Sequence, residues 1–291
     1  TEISHFNKNY FNDISLLEVS MNSYQELANH AKNIRRNIVK MVTAANSGHP
    51  GGSLSGVEIL TSLYFGEMNF GKDNFKDPNR DRFVLSKGHA SPLIYAALCE
   101  KGLIPEEELS TFRKINSKLQ GHPNMNYVDG VEMSTGSLGQ GLSAGVGMAL
   151  SAKIHKQDYR VFVLTGDGEI EEGQIWEAAM SAAQFKLDNL VAIVDNNNLQ
   201  IDGELEEVMS PYPIVEKFQA FGWHVIEVNG HDYDELFAAY NEAKTVSGKP
   251  TCIVAKTIKG KGVSYMENQC GWHGSAPNAE QCELALKELE A

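Results

Sequence analysis

The chain has 291 residues, 42% hydrophobic and 22% charged, with 38 acidic and 25 basic groups that give a net charge of −13. This is the composition of a soluble globular protein with one large core or two ordinary ones. The acidic excess argues against a nucleic-acid or anionic-membrane surface, while helix N-termini and metals still permit local phosphate binding.

The first 20 residues carry Glu2, Lys8, Asp13 and Glu18, so no secretory leader is expected. No apolar run reaches the length of a membrane span. The four cysteines, Cys99, Cys252, Cys270 and Cys282, form no CxxC pair and read as reduced thiols of a cytoplasmic protein. Residues 1 to about 22 are polar and irregular, the pattern of a loosely attached N-terminal arm; residues 23–291 read as one α/β domain.

Ser23-Tyr-Gln-Glu26 is a capping-box pattern. After it Leu27, Ala31, Ile34, Ile38, Met41, Val42 and Ala45 recur at helical spacing, to about Asn46. Ser47-Gly-His-Pro-Gly-Gly52 breaks this helix. Residues 56–66 read as helical, Arg82–Ser86 as a short strand ending at Gly88-His89, and Pro92–Cys99 as a helix with Pro in its first turn. A polar loop region follows, with Gly121-His122-Pro123 and Ser134-Thr-Gly-Ser-Leu-Gly-Gln-Gly141. Leu142–Ala152, rich in Ala and Gly, reads as a closely packed buried helix.

The second half alternates. Strands are expected at Arg160–Thr165, Asn189–Asp195, Trp223–Val228 and Thr251–Lys256, with helices at Gln174–Phe185, Ile214–Phe221 and Asp232–Val246. An acidic helix is expected from Ala279 to Ala291. Near-continuous Val, Ile and Ala strands between helices indicate a mostly parallel sheet with helices on both faces. Ligands of such sheets bind beyond the carboxyl ends of the strands.

Two of those ends carry chemistry. Asp167 lies between Gly166 and Gly168 where one apolar run stops, and Asn197 follows the next run thirty residues on. A carboxylate and an amide at adjacent strand tips suit a hard cation such as Mg²⁺, and the glycines let backbone N–H groups approach a diphosphate. Gly-Asp-Gly alone is also an ordinary turn. Asp202-Gly203 reads equally as a structural turn, and Glu171-Glu172 as a solvated helix start.

The Gly-Asp-Gly to Asn-Asn span resembles the fingerprint of thiamin diphosphate enzymes. Ser47-Gly-His-Pro-Gly51, Ser86-Lys-Gly-His89, Gln120-Gly-His-Pro123, Thr135-Gly-Ser-Leu-Gly-Gln-Gly141, Ile201-Asp-Gly203 and Trp272-His-Gly274 stand in the order seen in transketolases. The resemblance runs from about residue 25 to the end and covers the diphosphate-binding (PP) domain of that family. It implies a thiamin diphosphate-binding fold, with Mg²⁺ (or Ca²⁺ or Mn²⁺ in its place) held by Asp167, Asn197 and the Leu199 carbonyl. The Gly168 N–H would face the diphosphate, His89 and His273 would hydrogen-bond it, and Gly136 and Leu138 would line the cofactor. His49 and His273 would sit at the sugar hydroxyl that loses its proton, and His122 at the donor's terminal hydroxyl. Imidazole suits this work because it titrates near neutrality. Glu172 matches the carboxylate that couples two active sites across the family dimer. One departure is Ser137, where transketolases usually have Pro.

The family's pyrimidine-binding half and its sugar-phosphate arginines belong to a second domain that normally follows this one; the sequence stops soon after Trp272-His-Gly274, which reads as a split enzyme, with truncation of a longer chain as the other reading. The resemblance therefore implies the amino-terminal subunit of a two-chain transketolase, α2β2, acting on sugar phosphates with a separate C-terminal partner. Such a subunit would expose apolar surface around residues 134–152 and the Gly-His-Pro loops. Two rival readings remain: a related ketol transferase for a specialised sugar, and a non-catalytic thiamin diphosphate-binding module. A mere binder would have no use for His49 or His122.

Overall fold

In a computed structural model of the protein, residues 3–290 are described, with side chains from Tyr24 to Glu290. The first helix, α1 (Ile3–Ala45), buries Leu27, Ala31, Ile34, Ile38, Met41 and Val42 at the expected spacing. It runs through Ser23, so the capping-box pattern there does not mark a helix start. The side chains of the expected arm, up to about residue 22, lie outside the described ones, and its backbone from Ile3 is helical rather than irregular.

The first Gly-His-Pro segment leads into two short helices, α2 (Pro50–Ser55) and α3 (Val57–Ser62), with Pro50 in the first turn of α2. Strand β1 (Arg82–Leu85) passes through a tight turn at Gly88–Ala90 into α4 (Ser91–Glu100). After α5 (Glu106–Leu109) and a long loop comes α6 (Gln140–His155). Then β2 (Val161–Gly166), α7 (Gly173–Gln184) and β3 (Leu190–Asn196) follow in turn. After α8 (Leu205–Val208) come α9 (Ile214–Ala220), β4 (His224–Asn229), α10 (Tyr233–Thr245), β5 (Thr251–Lys256) and α11 (Ala279–Glu288). Among the described residues no helix is long and apolar enough to cross a membrane.

All five strands pair in parallel, in the order β1-β2-β3-β5-β4, at the positions their Val/Ile/Ala runs predict. Successive side chains alternate between the sheet's faces. Phe83, Leu85, Phe162, Leu164, Val191, Ile193 and Ile253 join one core with α1, α3, α4 and α10. Val84, Val161, Val163, Leu190, Ala192, Val194 and Val254 join a second core with α6, α7 and α9. Burial on both faces explains why β3 is apolar without alternation. The loops that leave the carboxyl ends of β1, β2, β3 and β5 hold Lys87-His89, Asp167, Asn197 and Lys259 respectively, so four neighbouring strands deliver them to one edge.

Helix α6 is buried on its sheet side only. Leu142, Ala149 and Ala152 are buried, whereas Ile154 is 68% exposed. Its small residues serve close approach: a Cβ at Gly145 would overlap Val163 on β2, while one at Gly147 would meet nothing within 4 Å. Gly145→Ala should therefore destabilise the chain by about 1–3 kcal/mol through overpacking. Gly147→Ala should stabilise it by about 0.5–1 kcal/mol, because Ala is the better helix former. Urea midpoints of the two variants should move in opposite directions; a shift of the same sign would refute this reading of the helix.

Candidate functional site

Asp167 directly follows β2 and is 3% exposed. Its Oδ2 accepts from Asn198 N–H at 2.7 Å and from Asn196 Nδ2 at 3.2 Å, and its Oδ1 from Gly168 N–H at 2.9 Å. The Gly168 N–H, expected to face a diphosphate, is thus turned onto the neighbouring carboxylate. Burial, then the charge of Asp195, pushes the Asp167 carboxyl up to about 6. Asn197 is buried, and its Oδ1 accepts from Leu199 N–H at 3.2 Å. Leu199 O accepts from Lys259 Nζ at 2.7 Å, leaving that carbonyl a second lone pair. Leu199 and Glu204 bridge antiparallel around Asp202-Gly203, so that pair is a turn, with Gly203 at φ +153°.

Beneath these groups lies a buried ion pair. Lys87 Nζ donates to Asp195 Oδ2 and, at 2.7 Å, to Gly52 O. Asp195 also accepts from Ser55 Oγ at 2.5 Å and from Thr257 Oγ1. Burial would raise the Asp195 carboxyl, but the Lys87 ammonium and these hydrogen bonds hold it below its ordinary value. Beside it, Glu169 accepts from Gly139 N–H at 2.9 Å, from Gly166 N–H at 3.0 Å and from Ser86 Oγ. Burial raises Glu169 despite these donors.

Three histidines close the site from above. The ring centroids of His49, His89 and His273 lie 5.2, 5.5 and 5.2 Å apart in a triangle. Lys259 Nζ is 2.9 Å from His273 Nδ1 and donates to it, which places the proton of neutral His273 on Nε2. Burial, then Arg113 and other cations, depresses His49 to about 4, and burial, then Lys259, depresses His273 to about 3. His89 is driven well below its ordinary value by burial and then Lys87. Burial lowers Lys259 to about 8. His122 lies against Gly136, where a Cβ would stand 3.0 Å from its Cγ and the backbone has φ +152°. Burial, then Arg113, lowers it too.

A cavity of about 190 Å³ runs through this cluster, lined by His89, Leu138, Asp167, Gly168, Asn197, Leu199, Lys259 and His273 among others. Of the residues singled out by sequence, His49 abuts it through the histidine triangle, while His122 and Gly136 pack against each other and are not among the residues that line it. Glu172 does not line it; it is exposed at the start of α7, with its side chain near Gly139. Lys87, Asp195, Glu169, Lys259 and Arg113 were not singled out. His231, in the turn before α10, braces the site from outside. Its Nδ1 donates to Glu58 Oε2 at 2.8 Å, and its Nε2 accepts from Ile258 N–H at 2.8 Å, fixing the loop that carries Lys259. Asp232 caps α10, its side chain accepting from Glu235 N–H.

Among the described residues no cluster of three or more His, Cys, Asp and Glu could hold a metal. The residues lining the cavity instead include Asp167, Asn197 and Leu199, whose carboxylate, amide oxygen and main-chain carbonyl form a hard-oxygen set that fits Mg²⁺ or Ca²⁺ better than a soft metal, with Glu169 and Gln200 beside them.

Fold and site together define a parallel α/β domain with a pocket across four strand ends, lined by charged, amide and imidazole side chains among apolar ones. Residues 27–290 match the family described as transketolase, thiamine diphosphate binding domain. The chain is 48% identical to one of the subunits of apulose-4-phosphate transketolase from Phocaeicola vulgatus, over 88% of this chain and 90% of that one. It is 44% identical to a 6-deoxy-6-sulfo-D-fructose transketolase subunit of Clostridium sp., over 91% of this chain and 96% of that one. The crystal structure of transketolase from Campylobacter jejuni superposes with a TM-score of 0.85 at 37% identity, over 91% of this chain but only 43% of that longer one. The chain belongs to the transketolase family and has its thiamin diphosphate-binding fold.

Two outcomes follow from the buried charges. Lys87→Met leaves Asp195 without its cation and should cost about 3–5 kcal/mol of stability at neutral pH. Denaturation within about 1 kcal/mol of wild type would mean that the pair is not needed. Asp167 titrates above its unfolded value, so the folded chain keeps a proton that the unfolded chain gives up. Its contribution is favourable at low pH and is lost as pH rises from about 4 through about 6, by on the order of 1–3 kcal/mol. In chelator, Asp167→Asn should abolish this fall between urea midpoints at pH 4 and pH 8; an unchanged fall would place its source elsewhere.

Proposed function

We propose that this chain is the diphosphate-binding subunit of a two-chain transketolase, moving a two-carbon ketol unit from a ketose to an aldose. The observation that carries the reading is the meeting of Asp167, Asn197 and the Leu199 carbonyl with His89, His273 and Lys259 around one cavity. Thiamin diphosphate, when bound, supplies the carbanion-stabilising chemistry that lets a C–C bond beside a carbonyl break. The three oxygen donors would hold Mg²⁺, and His89, His273 and Lys259 would face the diphosphate. Leu138 lines the cofactor beside Gly136. His49 and His273 stand at the sugar hydroxyl; their depressed imidazoles are neutral near pH 7 and are available for hydrogen bonding there. His122 orients the far end of the ketol unit. Glu172, exposed at the start of α7, is available to a neighbouring chain.

The partner supplies the pyrimidine-binding half, in an α2β2 assembly. Two relatives covered almost from end to end bear the name of a transketolase subunit, which supports a separate partner. Ile115, Met125 and Tyr127 flank the second Gly-His-Pro loop and are 93%, 52% and 57% exposed, surface suited to be covered by another chain. Those relatives are named for apulose-4-phosphate and 6-deoxy-6-sulfo-D-fructose, both sugars with an anionic group. A ketose with a terminal phosphate or sulfonate is the substrate class assigned to this chain.

The chain, its candidate partner, thiamin diphosphate and Mg²⁺ should together transfer a two-carbon unit, and the chain alone should not. Failure with every anionic ketose tried as donor would sink the catalytic reading. Asp167→Ala should abolish calorimetric binding of thiamin diphosphate with Mg²⁺, and unchanged affinity would remove Asp167 from the metal site.

A further inference from the structure

Arg113 has no part in the reaction proposed so far, yet its side chain joins the two Gly-His-Pro loops. Nη1 donates to Ser47 Oγ at 2.7 Å, and Nη2 lies 3.4 Å from His49 Nδ1, both in the first loop. In the second loop, a Cβ at Gly121 would stand 2.9 Å from Arg113 Nε, so the bare glycine leaves room for the guanidinium. That loop is anchored from α4, where Ser91 Oγ donates to Gly121 O at 2.8 Å and Tyr95 Oη to Gln120 O at 2.9 Å. Arg113 itself has φ +59°, a region that non-glycine residues seldom occupy, and its N–H is tied to Leu119 O at 2.9 Å. A residue held in such a conformation needs its surroundings to over-determine it.

A guanidinium only donates. The His49 nitrogen facing it must present a lone pair, which leaves the proton of the neutral ring on Nε2. The Nε2 edge points the other way: a Cβ at Gly274 would stand 3.5 Å from both Nε2 and Cδ2 of His49. The ring of His273 lies on that side too, at 5.5 Å.

Resting on the transketolase reading, we propose that Arg113 is a positioning residue: it locks the two histidine loops together and fixes the proton of His49 on Nε2, so that His49 donates a hydrogen bond to a substrate oxygen rather than taking up a proton. The same contact aligns His122, whose loop packs beneath the guanidinium. Proton uptake then falls to groups other than His49.

Three measurements test this. Long-range ¹H–¹⁵N spectra of the isolated chain should show His49 as the Nε2–H tautomer, independently of any activity; an Nδ1–H pattern overturns the proposal. In the reconstituted complex, Arg113→Met should lower kcat/KM for the donor ketose about 10- to 100-fold through misplacement of the loops, with thiamin diphosphate affinity unchanged and Arg113→Lys recovering part of the loss. A kcat/KM within two-fold of wild type, or an equal fall in cofactor affinity, overturns it. If Arg113→Met does not fold, Gly121→Ala, which pushes the guanidinium aside with Arg113 retained, is read the same way. His49→Gln keeps a donor N–H but no base, and should retain at least ten-fold more turnover than His49→Ala; equal losses overturn the donor role. Absence of turnover in the wild-type complex would count against the transketolase reading, and the tautomer measurement would stand apart from it.

Discussion

The Lys87–Asp195 pair is the constraint on which the site rests. A lysine 2% exposed and a fully buried aspartate are costly unless each charge meets its partner and its remaining hydrogen bonds are filled. Here they are: the ammonium spans Asp195 and the Gly52 carbonyl, and the carboxylate also takes Ser55 and Thr257. These five groups come from four segments: the loop after β1, β3, α2 and the residue that follows β5. Filling one carboxylate therefore sets the relative positions of the segments that carry His49, His89, Asn197 and Lys259. The loops of the candidate site hang from a polar knot at the tip of an otherwise apolar sheet.

That knot also shapes the electrostatics above it. Lys87 and Lys259 lie close to rings that burial already disfavours as cations, so His49, His89 and His273 are driven further from protonation. The site thus combines fixed ammonium charge with neutral imidazoles. An arrangement of this sort receives a polyanion without first having to shed protons from its histidines, and leaves those rings free for hydrogen bonding at neutral pH.

Much of this was legible in the sequence. Strands buried on both faces announce themselves as unbroken Val/Ile/Ala runs, and chemistry collects at their carboxyl ends, so Asp167 and Asn197 could be placed by position alone. Gly-His-Pro and Trp-His-Gly flagged the histidines by likeness to a family. Lys87 and Lys259 stayed hidden, although Ser86-Lys-Gly-His89 was in view, because a lysine beside glycine reads as a solvated loop residue. Only distant partners, Asp195 and the Leu199 carbonyl, reveal otherwise. Arg113 was hidden for the same reason, its partners Ser47 and His49 being more than sixty positions away. The capping-box pattern at Ser23 failed differently: it is a local preference, and α1 runs through it.

The bond from Ile258 N–H to His231 has a wider meaning. His231 leans on Glu58, which is held in turn by Arg35 of α1 at 2.6 Å. The loop that aims Lys259 into the pocket is therefore braced from the outer helical layer, through a chain of three side chains that never touch the ligand cavity. Remote substitutions in α1 or α3 can then retune the pocket while every residue lining it stays the same, a route by which relatives with one set of pocket side chains can diverge in behaviour.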